Sequence, residues 1–227
     1  MPSPIVDDQM RAYYERRAAE YDDWWLGTGL FEQRVRPGWA AEVAELITVV
    51  QGLGAARVLD IACGTGFLTQ HLQGEVVAID QSSAMVAVAS ARMPHARVLR
   101  GDAVPLAFAD GEFDRVFTSH FYGHLLPEER TAFLAEARRV AGELIVVDSA
   151  RRPDLPAEQW QERTLNDGTR HKVYKRFFGA AELADELGAG EILYDGLGAG
   201  ETLYDGLGAG EILYDGDWFV AVAATGV

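Results

Sequence analysis

The chain has 227 residues, 48% apolar and 24% charged, enough for one domain with a sizeable core. Its formal net charge of −15 argues against nucleic acid as the main partner, because phosphate binding needs clustered Lys and Arg. No apolar run approaches the ~18 residues of a membrane span, the first residues lack a basic-then-apolar leader, and the single cysteine, Cys63, excludes an intrachain disulfide; a soluble cytoplasmic protein with no membrane partner is expected.

A helix is predicted from Gln9 to Trp25, with Asp8 as its cap. Met10, Tyr14, Ala18, Tyr21 and Trp25 recur at helical spacing and form its aromatic-rich face. Gly27-Thr28-Gly29 reads as a loop. A second helix starts at Pro37, where a missing N–H costs nothing, and runs to about Val50. These two helices make an N-terminal cover over about 8–52.

The stretch R-V-L-D-I-A-C-G-T-G-F-L-T, Arg57 to Thr69, then sets the pattern. A short apolar strand ends at Ala62, breaks into a glycine turn at Gly64 and Gly66, and re-enters a helix-permissive run to about Gln73. Glycines let the backbone pass close to a ligand, and the first N–H groups of a helix face it. The dinucleotide fingerprint wants a third glycine or alanine, but Thr69 stands there. Asp60 sits just before the glycines. It would repel a pyrophosphate and favour a cationic ligand. Glu75–Asp80 is a second buried strand ending in an acid, placed to accept hydrogen bonds from ribose hydroxyls. Ser82 or Ser83 caps a helix from Ala84 to about Arg92. Arg97–Ala103 is a third strand and Phe113–Ser119 a fourth. His120-Phe121-Tyr122-Gly123-His124 follows the carboxyl end of the fourth, the sheet edge that borders ligands in open α/β folds. A helix over Pro127–Ala141 and a fifth strand over Glu143–Val147 complete a core spanning 55–149.

Residues 150–178 form an insert with a basic cluster, R-H-K-V-Y-K-R. A short helix over Gly179–Leu187 leads into three tandem copies of ten residues, Leu187 to Gly216, which differ only where Thr202 replaces Ile192 and Ile212. Each copy joins a glycine turn to a short strand. The third copy is the expected sheet strand, because a tight Asp215-Gly216-Asp217 turn joins it to the final strand over 217–225 at little cost in chain entropy. Near-identical copies leave strand exchange between molecules open, giving a homodimer through the repeats.

The motif order resembles the class I S-adenosylmethionine-dependent methyltransferases, in their small-molecule, type 11-like branch. D-I-A-C-G-T-G resembles the family's first motif, A-Y-Y-E-R-R-A-A-E-Y-D its opening segment, and P-L-A-F-A-D-G-E-F-D its P-L-P-F-x-D-x-x-F-D run, with Ala107 replacing a proline. The resemblance implies one Rossmann-like α/β domain. Its seven-stranded sheet is mostly parallel with an antiparallel last strand, and helices cover both faces. It implies methyl transfer from S-adenosylmethionine to a small-molecule acceptor. Asp60, Ala62, Gly64 and Gly66 would admit the methionine end, Asp80 and Gln81 the ribose and adenosine, and Met85, Asp102 and Ala103 the adenine. Tyr14, Tyr21 and Ser119 complete the cofactor-binding set, and His120 or His124 is the candidate proton acceptor. The insert at 150–178 would be a substrate lid. No metal is implied. Two other readings stay open: a protein that binds S-adenosylmethionine without catalysis and assembles through its repeats, and a nicotinamide-dependent oxidoreductase.

Overall fold

A computed structural model describes residues 8–188 and 211–225. The first two repeat copies lie almost wholly outside the described residues. The helices are α1 (Asp8–Arg17), α2 (Asp23–Leu26), α3 (Trp39–Gly52), α4 (Ser83–Arg92), α5 (Pro127–Val140) and α6 (Ala180–Glu186). Five strands precede the hairpin: β1 (Ala56–Ile61), β2 (Gly74–Asp80), β3 (Arg97–Arg100), β4 (Phe113–Ser119) and β5 (Ala141–Ser149). The remaining strands are β6 (Glu158–Thr164), β7 (Arg170–Arg176), β8 (Glu211–Asp215) and β9 (Phe219–Thr225).

Seven strands form one sheet in the order β3-β2-β1-β4-β5-β9-β8. Pairs from β3 through β5 are parallel, and β9 runs antiparallel to both β5 and β8. The order reverses between β1 and β4, so the carboxyl ends of those strands flank a crevice where ligands settle. Strand alternation assigns the layers. Leu144, Val146, Val220 and Val222 face α5 and α6 through Phe133, Val140 and Leu183. Ile145, Val147, Phe219 and Ala221 face α3 through Trp39, Val43 and Leu46. Among the described residues, no helix is long and apolar enough to cross a membrane.

The first predicted helix is broken. A 3-10 turn over Ala18–Glu20 separates α1 from α2, because Asp22 is turned toward the glycine loop, where it accepts from Thr65 Oγ1 at 2.6 Å and pairs with Arg92. The helix expected to run to Gln73 shrinks to one turn, Thr69–His71. Thr69 is tied down by Asp60, and Leu72 is already extended toward β2. The second helix begins at Trp39, after Gly38 in the left-handed region, rather than at Pro37. Within 150–178, β6 and β7 pair as a separate antiparallel hairpin, from Glu158↔Arg176 to Thr164↔Arg170. Tyr13, Leu165 and Val173 pack it on α1.

The third repeat copy supplies β8. Leu213 is buried with the α3 layer, Ile212 packs on the opposite layer, and the Tyr214 hydroxyl donates to Glu45 at 2.8 Å. Glu42 accepts from the backbone of Asp217 and Trp218, which pins the turn to α3.

Candidate active site

A cavity of about 250 Å³ opens at the carboxyl ends of β1, β2 and β4, between the sheet, α1 and the hairpin. Of the sequence-predicted residues, Tyr14, Tyr21, Ala62, Gly64, Asp80, Gln81, Ala103, Ser119, His120 and His124 line it. Asp60, Gly66, Met85 and Asp102 do not. Asp60 lies just behind the glycine turn, 1% exposed. Met85 is fully buried, so its packing is with the core rather than the cavity wall. Asp102 is exposed, while its neighbours Gly101 and Ala103 line the cavity. Gly66 serves packing: a Cβ there would meet the Met93 side chain at 2.7 Å. Its φ of +76° also favours glycine.

Two non-glycine residues share the left-handed region, Ala62 (φ 60°) and His120 (φ 54°), just past the ends of the adjacent strands β1 and β4. Backbone held there costs about 1–3 kcal/mol per residue and clusters at functional sites. Both line the cavity.

The acids on the β1–β2 side are starved of water. Asp60 Oδ2 accepts from Thr69 Oγ1 at 2.5 Å, but Oδ1 is buried with no hydrogen-bond partner. Burial pushes its carboxyl up to about 8, against the Thr69 hydrogen bond. Asp80 accepts from the Gly64 N–H at 2.9 Å and the Ser82 N–H at 2.8 Å. Burial outweighs these bonds and brings its carboxyl to about 6. Each of its oxygens keeps a second lone pair for a donor. Gln81 Oε1 is also buried without a partner. These acceptors suit a ligand with an ammonium and hydroxyl donors, and S-adenosylmethionine carries both.

The opposite wall holds two imidazoles. His124 Nδ1 sits 2.6 Å from the Tyr174 carbonyl, so Nδ1 carries the proton and donates, leaving Nε2 with the lone pair. His120 Nδ1 faces Ser149 Oγ at 3.3 Å and Asp148 Oδ1 at 3.8 Å, and its Nε2 is buried without a partner. Burial pulls His120 down to about 3; Asp148 opposes this, and Lys175, Arg163 and Arg17 reinforce it. His124 falls well below the ordinary histidine value, by burial and then by Lys175 and Arg163. Both rings are therefore neutral near pH 7, each with one ring nitrogen that donates a hydrogen bond and one that accepts.

The insert over 150–178, expected to carry Trp160, Tyr174 and the basic cluster toward an acceptor, contributes to the cavity wall. Lys172 and Tyr174 of β7 and Trp160 of β6 line the cavity from the hairpin, and the Lys172 ammonium lies 5.6 Å from the Trp160 ring. Ser82, read as a helix cap, does cap α4 through Met85 N, and it also donates to Glu15 of α1 at 2.7 Å. Asp148, one residue past the fifth strand expected over Glu143–Val147, was not singled out from the sequence. Among the described residues, no group of three or more His, Cys, Asp or Glu is placed to hold a metal ion.

Comparison with known proteins agrees with this geometry. Residues 58–143 match the model of a methyltransferase domain family. That span holds most of β1, the glycine turn, both acids and both histidines. A demethylmenaquinone methyltransferase of Renibacterium salmoninarum is 32% identical over 147 residues, covering 62% of this chain and 59% of the relative. An uncharacterized methyltransferase of Alkaliphilus oremlandii is 23% identical over 71% of this chain and 75% of the relative. The solved structure described as "DhpI-SAM-HEP complex" superposes with a TM-score of 0.69 at 24% identity, covering 98% of this chain and 99% of that one, a likeness of fold. With the strand order, the glycine turn and the two acids in place, the core over 58–143 is similar to that methyltransferase domain family, and the chain shares the fold of the solved complex.

Proposed function

We propose that this chain binds S-adenosylmethionine along the β1–β2 edge of the cavity and methylates a small molecule seated against His120, His124 and the hairpin. One observation carries the reading. A buried carboxylate oxygen without a partner, on Asp60, stands behind the glycine turn at one end of a cavity whose other wall presents neutral imidazoles. When bound, the cosubstrate supplies a methyl group on a positively charged sulfur. Asp60 would offset the methionine ammonium from behind the turn. Gly64, held at φ 57°, keeps the turn open beside Tyr21, whose ring would lie 3.5 Å from a Cβ at that position. Asp80 would accept from the ribose hydroxyls, with Gln81 beside the adenosine. Ala103, with Gly101, would line the adenine end, and Asp102 at the surface would reach its amino group.

His120 is the proton acceptor we favour, because it is neutral, lines the cavity and keeps Nε2 unpartnered. Sulfonium methyl transfer is downhill, so alignment supplies most of the rate and the base adds its share. Calorimetric titration with S-adenosylmethionine and S-adenosylhomocysteine, with NADH as control, is the direct test. Binding of the first two is expected, falling at least tenfold in Asp80→Ala. Binding of NADH alone would reject the reading. An acceptor screen by release of S-adenosylhomocysteine then follows.

The repeats support a second, separable proposal: exchange of the β8 segment between two copies of the chain. A dimer seen by light scattering should vanish when residues 187–206 are deleted. A dimer that persists would rule exchange out.

A further inference from the structure

Asp148, the penultimate residue of β5, has no exposed surface. It accepts from the backbone N–H groups of Gly123 and Ser149, each at 2.7 Å, and pairs with the Lys175 ammonium. The same Oδ1 that meets Lys175 lies 3.8 Å from His120 Nδ1. Lys175 is 3% exposed and belongs to β7 of the hairpin, not to the main sheet. Apolar residues of similar volume would fill this space with less desolvation cost. The pair therefore has a use beyond packing, and beyond its backbone donors it faces the His120 imidazole at 3.8 Å.

The surroundings of His120 are otherwise apolar or cationic. Trp24 and Trp25 of α2 and Phe219 of β9 pack their rings 4.7–5.6 Å from the imidazole. Ser149 of β5 is the one hydroxyl on Nδ1 among the described contacts. Arg17 at the end of α1, Arg163 of β6 and His124 stand farther off. Among the described residues, Asp148 is thus the anion that acts on the ring, and Lys175 is the cation paired with it.

Resting on the reading of His120 as the acceptor-facing base, we propose that Asp148 and Lys175 form a positioning pair for its imidazole. Asp148 holds the ring with its proton on Nδ1. Lys175, carried in by the hairpin, cancels the carboxylate's charge, so the ring stays neutral and Nε2 stays open to a proton from the acceptor. The direction of charge is consistent: burial lowers the Lys175 ammonium, yet Asp148 partly restores it, and Lys175 with His120 outweighs burial to keep Asp148 below the ordinary carboxylate value. Seating of the hairpin and the neutral state of the ring are then one event.

The test is an NMR titration of the full-length protein labelled with ¹³C,¹⁵N-histidine, which needs no ligand. In the unaltered protein His120 should show a single tautomer, protonated on Nδ1, and remain mostly neutral down to pH ~4. Lys175→Met should raise its midpoint by about one pH unit or more, since Asp148 then acts unopposed. Lys175→Arg should keep the original midpoint. An unchanged midpoint in Lys175→Met, the same shift in Lys175→Arg, or a proton on Nε2 in the unaltered protein would overturn the proposal. Should Lys175→Met not fold, Asp148→Asn/Lys175→Met removes both charges. It should return a low midpoint with mixed tautomers, and a pure Nδ1–H form there would refute the positioning role. The base reading fails separately: His120→Gln with undiminished methyl transfer would remove it without altering these spectra.

Discussion

At the residue scale, Asp60 concentrates the conflict between folding and binding. Its carboxyl titrates near 8 in the folded chain against an ordinary value of 3.8, so between those pH values the folded state holds more protons than the unfolded one. Stability must therefore fall as pH rises through that window. Asp60→Asn removes the penalty. Thermal melts of the ligand-free protein should show the Asp60→Asn variant more stable than the parent at pH 8 and equal to it near pH 4. The same substitution should weaken S-adenosylmethionine binding at least tenfold, because the ammonium loses its counter-charge. A variant neither more stable at pH 8 nor weaker in binding would show that Asp60 is merely a core residue. A bound cation should restore the parent's stability at pH 8 more than at pH 5.

At the element scale, α1 and α2 are bolted to the β1–β2 side of the cavity by two acids. Glu15 accepts from Ser82 Oγ and from the Ala84 N–H at 3.1 Å, and Asp22 joins Thr65 and Arg92. Arg92 also donates to the Thr65 carbonyl at 2.9 Å. These bonds hold Tyr14 and Tyr21 over the cavity. Asp22→Ala should loosen that cover while sparing the sheet. Limited trypsin digestion should then cut faster at Arg16 or Arg17, and affinity for S-adenosylhomocysteine should fall several-fold with little change in melting temperature. Equal digestion rates in both proteins would contradict the bolt.

The same element contacts explain what was legible from the chain. The β1 strand, its glycine turn and Asp80 were readable because each is local: an apolar run, a positive-φ position, an acid at a strand end. His120 followed from its place after β4. The tie from Thr69 to Asp60 crosses a turn and shortened a helix that periodicity alone would have extended. Glu15 with Ser82, and Lys175 with Asp148, join segments far apart in sequence, and hydrophobic pattern carries no information on such pairings. Tyr13 shows the limit well. Helical spacing put Tyr14 on the buried face, yet Tyr13 is the 1% exposed residue, because the hairpin packs there.

At the scale of the whole molecule, the sheet closes on a strand whose sequence the chain holds more than once. Glu-Ile-Leu-Tyr-Asp at β8 recurs without change at 191–195, and with one substitution at 201–205. The loop to β9 is 216–218 from the third copy but 196–218 from the first. The connection from α6 shortens as this loop lengthens, so loop-closure entropy nearly cancels and disfavours the first copy by well under about 1 kcal/mol. Loss of a buried leucine side chain typically costs about 2–5 kcal/mol. Leu213→Ala should therefore hand the seat beside β9 to the identical earlier segment, and denaturant melts should show a loss capped below ~1 kcal/mol. With residues 187–206 deleted there is no second claimant, and the same substitution should show its full cost. Equal losses in the two backgrounds would mean that the earlier copy never competes. If the losses differ, the duplication is a spare edge strand, and mutation at β8 will be masked until the spare is removed.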